Sequence, residues 1–274
     1  MSEAEGLQTS GGSWGSLGRA RALKRKLKEG KAVVGAWLSL NDPCAAEILA
    51  RAGFDFLLID TEHGAWDLVT LQTTLMGFNG TDTVPIVRVP WNDHVRIKQA
   101  LDMGVEGVMA PMVRNVAECQ ALVRACRYPP EGRRGFGPRR ASNYYRNIED
   151  YVAVANEAIF VMPQIEDIAT LDELDDFLAV RGIDAVAIGP NDLSGTTGRF
   201  RQNQHPTNKE AVDKIIARSG AAGVPVCLGV NSKPAEQRDL IARGVRVLLV
   251  TSDVELLAGG ARQVLEANRA ALGA

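Results

Sequence analysis

Short apolar runs recur along the chain, and helical patterns of apolar and polar positions separate them. Runs that are continuous rather than alternating are typical of strands buried on both faces, as in parallel sheets. The predicted strands are residues 33–38, 56–59, 84–89, 107–113, 159–165, 185–188, 224–230 and 245–250. The predicted helices are residues 45–52, 68–78, 94–103, 116–126, 170–180, 211–222, 234–243 and 254–271.

A weak repeat precedes four of these strands, at residues 51–55, 102–106, 181–184 and 242–246. Each copy places Gly where a helix C-cap favours a left-handed residue, and an apolar residue follows it. Unbroken strand–helix alternation over roughly 250 residues predicts a single-domain α/β fold, the (β/α)8 TIM barrel, over residues 19–274. A flexible Gly/Ser-rich tail is expected at residues 1–18. An open doubly wound sheet is the alternative, but the GxGxxG fingerprint of dinucleotide binding is absent.

Composition narrows the possible functions. The 274-residue chain is 46% hydrophobic and 23% charged, with a formal net charge of −2. That balance argues against nucleic-acid binding, and no apolar run reaches the ~18 residues that a membrane span requires. Four cysteines without a CxxC spacing predict reduced thiols in a cytoplasmic protein.

Polar side chains gather where the predicted strands end, which is the face of a (β/α)8 barrel that carries chemistry. The second strand ends in Asp60, Glu62 and His63, and the third in Arg88. Other strand ends carry Trp37, Ser39, Gln164, Glu166, Asp167, Asn191, Asp192 and Asn231. Taken singly, such an Asp is often only a helix N-cap, and such a His is often structural. Their convergence on one face, which we also expect to receive the longest loop, favours a functional site.

The residue types suggest roles at that site. Glu166 and Asp192, from adjacent strands, suit a hard divalent ion such as Mg²⁺ or Mn²⁺, whereas zinc would favour His or Cys. Asp60 and His63 are close enough to form a general-base dyad, and Arg88 offers a permanent positive charge to a carboxylate or enolate. No lysine lies at a strand end. Schiff-base chemistry therefore lacks its nucleophile, and carbanion chemistry would need a metal.

Five motifs in order resemble the HpcH/HpaI family of class II pyruvate aldolases, over about residues 23–267. They are LeuIleAspThrGluHisGly from Leu58, ArgValProTrpAsnAsp from Arg88, TyrProProGluGlyArgArgGlyPheGly from Tyr128, GlnIleGlu from Gln164 and IleGlyProAsnAspLeuSer from Ile188. The resemblance implies a barrel that swaps its last helix between subunits and assembles as a hexamer, a trimer of dimers. It also implies reversible cleavage of a 4-hydroxy-2-oxo acid to pyruvate and an aldehyde, with Mg²⁺, Mn²⁺ or Co²⁺.

The resemblance assigns catalytic roles to particular residues. Glu166 and Asp192 would hold the metal, and Arg88 would stabilise the enolate oxygen. His63, paired with Asp60, would be the base that takes the proton from the 4-hydroxyl group.

The remaining assignments concern substrate contacts. Gln164 and the backbone at Pro190 and Asn191 would contact pyruvate. Trp37 and Leu228 match positions in the pocket wall. Asp102 matches an acidic position near the acceptor aldehyde, reached from a neighbouring subunit.

Three departures from the family pattern bear on substrate preference. Asn191 stands where Ala is common, so its side chain would narrow or polarise the acceptor pocket. Asp167 stands where Thr is usual, and Pro163 is an unusual residue inside a parallel strand. None removes a catalytic group.

Two basic segments have alternative interpretations. Residues 127–140 hold five arginines, either as a solvated or subunit-contacting loop or as a lid that attracts an anionic substrate. The basic segment from Arg19 predicts a solvated helix over the barrel floor. For the whole chain, the competing functions are an acyl-CoA ester lyase, a 2-oxo diacid decarboxylase and a non-catalytic binding protein.

Overall fold

A computed structural model describes residues 16–229 and 233–272, so most of the expected tail and Asn231 lie outside the described part. Eight parallel strands close into a barrel in sequential order, with β1 pairing both β2 and β8. The strands are β1 Val33–Leu38, β2 Phe56–Asp60, β3 Val84–Arg88, β4 Gly107–Ala110, β5 Phe160–Ile165, β6 Val186–Ile188, β7 Val226–Gly229 and β8 Val245–Ser252. The predicted (β/α)8 barrel is confirmed, and the open-sheet alternative is wrong.

Eleven α-helices surround the strands in the described part of the chain, against eight predicted in alternation with the strands and one predicted over the barrel floor. They are α1 Gly18–Lys28, α2 Pro43–Arg51, α3 Leu68–Thr74, α4 His94–Met103, α5 Val116–Cys126, α6 Ile148–Ala158, α7 Leu174–Leu178, α8 Pro190–Thr196, α9 Pro206–Ala221, α10 Pro234–Ala242 and α11 Asp253–Leu272. Short 3₁₀ turns, Leu75–Phe78 and Ile168–Asp172, adjoin α3 and α7. Within residues 16–229 and 233–272, no helix has the length and apolar character needed to cross a bilayer.

Alternation along each strand separates two apolar layers. Phe56 and Leu58 of β2 belong to the cluster inside the barrel, whereas Leu57 and Ile59 belong to the cluster between barrel and helices. Successive side chains of a strand point to opposite faces, so Asp60 continues the inward series of β2. The same phase carries Arg88 inward on β3, after Val84 and Ile86. The lumen is therefore apolar at its floor and polar at its mouth.

The helix predicted over the barrel floor is α1, and it is present. Leu23 and Leu27 are buried in the barrel cluster beside the amino-terminal ends of the strands. Three basic residues of α1 pair with acids that precede β2, β4 and β6. The pairs are Lys26 with Asp55 at 2.5 Å, Arg19 with Glu106 at 2.5 Å and Lys24 with Asp184 at 2.9 Å. These acids are the last residues of three of the four sequence repeats. Three copies of the repeat therefore supply the acidic partners of α1.

The arginine-rich loop, residues 127–147, lies at the floor and not at the mouth. It follows α5, and Arg140 donates to the carbonyl oxygen of Met103 at the end of α4. Barrel helices run antiparallel to the strands, so helix ends meet strand beginnings. The expectation that the longest loop joins the mouth is wrong, and so is the lid interpretation for this chain's own site.

The last helix, α11, projects from the barrel. Asp253 anchors its start by accepting hydrogen bonds from the backbone N–H groups of Ser39 and Leu40. From Val254 onward its described residues are exposed. The exposed apolar side chains are Val254, Leu256, Leu257, Val264, Leu265 and Leu272. None of the residues that the structure describes covers this apolar helix face.

Candidate active site

A buried ion pair joins the ends of β2 and β3. The strand register places Asp60 directly opposite Arg88. Arg88 donates from Nε to Asp60 Oδ1 at 3.0 Å and from Nη2 to Oδ2 at 2.7 Å. The guanidinium carbon lies 4.5 Å from the ring centroid of Trp37 on β1, a cation–π distance. The guanidinium is thereby fixed in plane, and among the described contacts its Nη1 makes no hydrogen bond.

The turn after β2 is held by the same ion pair. Asp60 Oδ1 also accepts the backbone N–H groups of Glu62 at 3.2 Å and His63 at 3.3 Å. The hydroxyl of Thr61 donates to the backbone carbonyl of Arg88 at 2.6 Å. This network fixes the backbone from which the side chains of Glu62 and His63 leave.

The imidazole of His63 does not meet Asp60, contrary to the expected dyad. Its side chain is 69% exposed, and Nε2 lies 3.8 Å from Glu62 Oε2. The carboxylate of Asp60 is occupied by Arg88 because the register brings those residues together across the sheet. The role of His63 as the general base stays a prediction.

Glu166 follows β5 and is held on both oxygens. Oε1 accepts the backbone N–H of Met112 at 2.6 Å, and Oε2 accepts Gln164 Nε2 at 2.8 Å. Met112 has a φ of +50°, a conformation that costs free energy in a non-Gly residue and aims this N–H at the carboxylate. Gly189, after β6, packs so closely on Glu166 and Gln164 that a Cβ there would force one of these side chains to move.

Asp192 lies in the first turn of α8 and is exposed. Burial, together with the smaller effect of the negative charges of Glu62 and Asp192, raises the pKa of Glu166 to about 7. Burial also raises the pKa of Glu62, against the lowering effects of Arg88 and His63. The mouth thus gathers carboxylates whose mutual repulsion one guanidinium only partly offsets.

This donor set fits a hard divalent cation. Two buried oxygens, Gln164 Oε1 and Glu62 Oε2, have no hydrogen-bond partner among residues 16–229 and 233–272, although Glu62 Oε2 lies 3.1 Å from Arg88 Nε. Among the residues that the structure describes, no three His, Cys, Asp or Glu side chains converge as a metal cage. With two carboxylate ligands, Glu166 and Asp192 would hold an ion that keeps several waters, as Mg²⁺ does.

Some of the residues expected to contact the substrate lie at the mouth of the barrel, and others do not. Trp37 and Gln164 continue inward-facing series and line the mouth. Pro190 opens α8, and Asn191 Oδ1 accepts Asn203 Nδ2 at 2.8 Å, which makes this part of the rim polar.

Leu228 departs from its expected place in the pocket wall. It packs in the outer cluster, because Cys227 takes the inward phase of β7. Its contact with substrate stays a prediction that this placement does not support.

Asp102 is not at the mouth of its own barrel. It lies near the end of α4, and its Oδ1 accepts Arg134 Nη2 at 2.8 Å. The side chain of Arg134 is fully buried, with its guanidinium carbon 4.5 Å from the ring centroid of Tyr128. A role for Asp102 at the site therefore needs a second subunit.

Two features of the site were not predicted from the sequence. Glu62 stood in the polar cluster after β2, but nothing in the spacing predicted that it would lie beside Arg88 as Asp60 does. The backbone N–H of Met112 carries no sequence signal, because its direction follows from a conformation rather than from a residue type.

The chain is similar in sequence to known proteins of one family. Residues 33–259 match the family described as HpcH/HpaI aldolase/citrate lyase. The chain is 42% identical over 243 residues to a 4-hydroxy-2-oxo-heptane-1,7-dioate aldolase of Klebsiella pneumoniae subsp. pneumoniae, covering 88% of this chain and 91% of that relative. It is 39% identical over 237 residues to a hydroxypyruvate/pyruvate aldolase of Roseobacter denitrificans, covering 86% and 92%.

A solved structure shares the fold. An HpcH/HpaI aldolase/citrate lyase family protein from Burkholderia cenocepacia J2315 superposes with a TM-score of 0.85 at 32% identity, covering 90% of this chain and 99% of that one. Matched motifs, the closed barrel and the carboxylates at its mouth agree on one assignment. This chain belongs to the HpcH/HpaI aldolase/citrate lyase family.

Proposed function

We propose that this protein is a metal-dependent aldolase that reversibly cleaves a 4-hydroxy-2-oxo acid to pyruvate and an aldehyde. The observation that carries the proposal is the pairing of one fixed guanidinium, Arg88, with the surplus of carboxylates around Glu166. Such a site favours a divalent ion and a substrate that develops negative charge on oxygen. The names of the relatives at 42% and 39% identity favour an aldolase over an acyl-CoA ester lyase.

In the cleavage direction, His63 takes the proton of the substrate 4-hydroxyl group. The C3–C4 bond breaks, its electron pair moves to the C2 carbonyl to give the enolate of pyruvate, and C4 leaves as the aldehyde carbonyl. Arg88, through its Nη1, donates a hydrogen bond to the enolate oxygen. Proton delivery to C3 then yields pyruvate.

A divalent ion held by Glu166 and Asp192 would supply Lewis-acid stabilisation of the enolate, with Mg²⁺, Mn²⁺ and Co²⁺ as candidates. Gln164 orients the Glu166 carboxylate through its Nε2. Trp37 holds the plane of the Arg88 guanidinium, so the donor is oriented before substrate arrives.

The acceptor aldehyde contacts the rim outside these groups. The amide of Asn191, tied to Asn203, favours acceptors with a hydroxyl or a second polar group over purely apolar aldehydes. An aldehyde panel with pyruvate as donor, assayed with each divalent ion, measures this preference.

The assembly we propose is a hexamer, a trimer of dimers in which α11 covers a neighbouring subunit. The exposed leucines of α11, such as Leu257 and Leu265, support a partner because an apolar face of this kind is a typical interaction site. In that assembly Asp102 of one copy would reach the mouth of another. The four cysteines are unpaired, which supports the expected cytoplasmic location.

The function is tested by comparing two reactions in His63→Ala. Aldol cleavage requires loss of the hydroxyl proton, whereas oxaloacetate decarboxylation forms the same enolate without it. A general base typically contributes ~10²–10⁴-fold, so cleavage should fall by that factor while decarboxylation falls far less. Equal losses would make His63 a structural residue or an enolate stabiliser, and wild-type cleavage that persists after exhaustive chelation would refute the metal-dependent mechanism.

A further inference from the structure

The segment between α8 and α9, residues 197–205, lies along the rim of the barrel mouth. Asn203 Nδ2 donates to Asn191 Oδ1 at 2.8 Å, and Asn191 lies in the first turn of α8 beside the expected metal ligand. Asn191 and Gly195 are four residues apart, so they share one face of the helix. A Cβ at Gly195 would lie 3.5 Å from the ring of Phe200. The segment therefore folds back over the face of α8 that carries Asn191.

Two buried side chains hold the backbone of this segment. Ser194 is fully buried, and its Oγ donates to a backbone carbonyl of α8 and accepts the backbone N–H of Arg201 at 2.8 Å. Asn208 is also buried, and its Nδ2 donates to the backbone carbonyl of Gln202 at 2.8 Å. Arg201 has a φ of +61°, a conformation that a non-Gly residue keeps only where its surroundings impose it. The backbone next to Asn203 is therefore fixed before any substrate binds.

The charge at the mouth determines which atom of the Asn191 amide faces the substrate. Because Asn203 occupies Oδ1, Asn191 is left with the two N–H donors of Nδ2. The opposite arrangement, with both amides turned, would leave Oδ1 of Asn191 at a mouth where Glu62, Glu166 and Asp192 already repel one another. A further partial negative charge there is unfavourable, whereas an N–H donor is favourable. The rim beside the metal site therefore offers donors.

Positive charge on the same segment adds to these donors. Arg199 and Arg201 flank Phe200, and all three residues are exposed. An aldehyde that carries a carboxylate has to enter a mouth rich in carboxylates, and their repulsion opposes its entry. Guanidinium groups and amide donors on the rim offset that repulsion, because they give the entering carboxylate charge-assisted hydrogen bonds.

We infer that Asn203 is a positioning residue of the acceptor site. It fixes Asn191 as a hydrogen-bond donor, so the rim favours aldehydes with a carboxylate close to the carbonyl group. Asn191 contacts the acceptor, and Asn203 acts through it. A hydroxyl group both donates and accepts, so it depends less on a fixed donor than a carboxylate, which only accepts. The inference rests on the proposed function, because it concerns the aldehyde of that reaction.

The inference is tested with glyoxylate and acetaldehyde, which differ by a carboxylate in place of a methyl group. With pyruvate as donor and Mn²⁺ at pH 8, kcat/KM should favour glyoxylate in the wild type. In Asn203→Asp the introduced carboxylate accepts from Asn191 Nδ2, which turns Oδ1 toward the acceptor. The ratio of the two kcat/KM values should then fall by about 10-fold or more, the effect of losing a hydrogen bond to a charged group. The ratio for glycolaldehyde over propanal, which compares a hydroxyl with a methyl group, should change far less.

Two controls separate this mechanism from a general effect of charge. Gln202→Glu adds the same charge at the exposed neighbouring position, so its ratio should stay within about threefold of the wild type. In an Asn191→Ala background, Asn203→Asp should also leave the ratio nearly unchanged, because the double-mutant cycle isolates the contact between these residues. A fall as large as that of Asn203→Asp in either control would overturn the inference, as would an unchanged ratio in Asn203→Asp itself.

The amide pairing is also measured without substrate, by NMR of ¹⁵N-asparagine-labelled protein. Asn191→Ala and Asn203→Ala identify the two side-chain NH₂ groups. In the wild type the Asn203 protons should exchange with water more slowly than those of Asn191, because a hydrogen bond protects them, and in Asn203→Asp the Asn191 protons should become the slower ones. The reverse order in the wild type would overturn the inference. If the wild type adds pyruvate to no aldehyde, the proposed function fails, and the exchange rates still decide which amide is the donor.

Discussion

A single methyl group at Gly189 should disable the metal site. A Cβ there would lie 2.7 Å from Gln164 Nε2 and 2.9 Å from the Cβ of Glu166, and nearer still to Glu166 Oε2. Ordinary contact begins at 3.4 Å, so the Gln164 amide alone must retreat by 3.4 − 2.7, about 0.7 Å. The Glu166 carboxylate must move further, and it has little freedom because Met112 holds its other oxygen.

The expected loss follows from that displacement. Misplacing a catalytic group by about 1 Å costs on the order of 10²-fold in rate. Gly189→Ala should therefore lower aldol cleavage and oxaloacetate decarboxylation together by ~10²-fold. Mn²⁺ affinity, measured by calorimetry, should fall in parallel because one of two protein ligands is moved.

A matched control lies on the adjoining helix. The Cβ of Gly195→Ala would meet Phe200 at 3.5 Å, an ordinary contact, and Ala is favoured over Gly in a helix by up to about 1 kcal/mol. That variant should bind Mn²⁺ and cleave substrate as the wild type does. A Gly189→Ala protein that melts normally, binds Mn²⁺ normally and remains fully active would refute the assignment of Glu166 as a metal ligand.

Three other predictions concern the hydrogen-bond donor Arg88, the expected metal ligand Glu166 and the floor helix α1. Arg88→Lys keeps a charge but loses the planar fork, so cleavage and decarboxylation should both fall by ~10²–10³-fold, and borohydride with pyruvate should add no mass to any lysine. Burial raises the pKa of Glu166 from an ordinary 4.5 to about 7, so the cost of ionising it is full above pH 7, declines between pH 7 and 4.5, and is gone below 4.5. Since metal binding requires the ionised form, the rise in Tm at one fixed Mg²⁺ concentration should be larger at pH 8 than at pH 6, and Glu166→Gln should abolish the difference. Leu23→Ala, which removes a 2% exposed side chain, should lower the free energy of unfolding in urea by about 2–5 kcal/mol, while activity per folded molecule at the opposite end persists.

The strands were predictable because a strand that is buried on both faces is a continuous run of apolar residues in the sequence. Continuous apolar runs placed seven strand ends within about two residues of their observed positions. The exception is β4, which ends at Ala110 rather than at residue 113. Its early end coincides with the left-handed Met112, whose N–H is directed to Glu166 on another strand, a contact that local sequence does not encode.

The sequence predicted which residues lie at the site better than it predicted which of their side chains pair with one another. Residues close together in the sequence are the pairs that a sequence suggests first, which is why Asp60 was expected beside His63. The barrel register instead sets Asp60 opposite Arg88, which lies 28 residues further along the chain. Helices α6 and α8 were not predicted, although a helix N-cap at Asp192 was one interpretation of the polar residues after β6. Side-chain partnership in a barrel depends on strand register, and register is a property of the closed sheet.

The floor helix has a consequence for how this chain is made. α1 leaves the ribosome before any strand, yet its last acidic partner, Asp184, is synthesised about 160 residues after Lys24. Until then its apolar stripe has no complete binding surface, and closing so long a loop carries an entropic cost that only the assembled strands offset. The first helix in the sequence should thus be among the last to dock, so a nascent chain shorter than Asp184 presents Leu23 and Leu27 to chaperones.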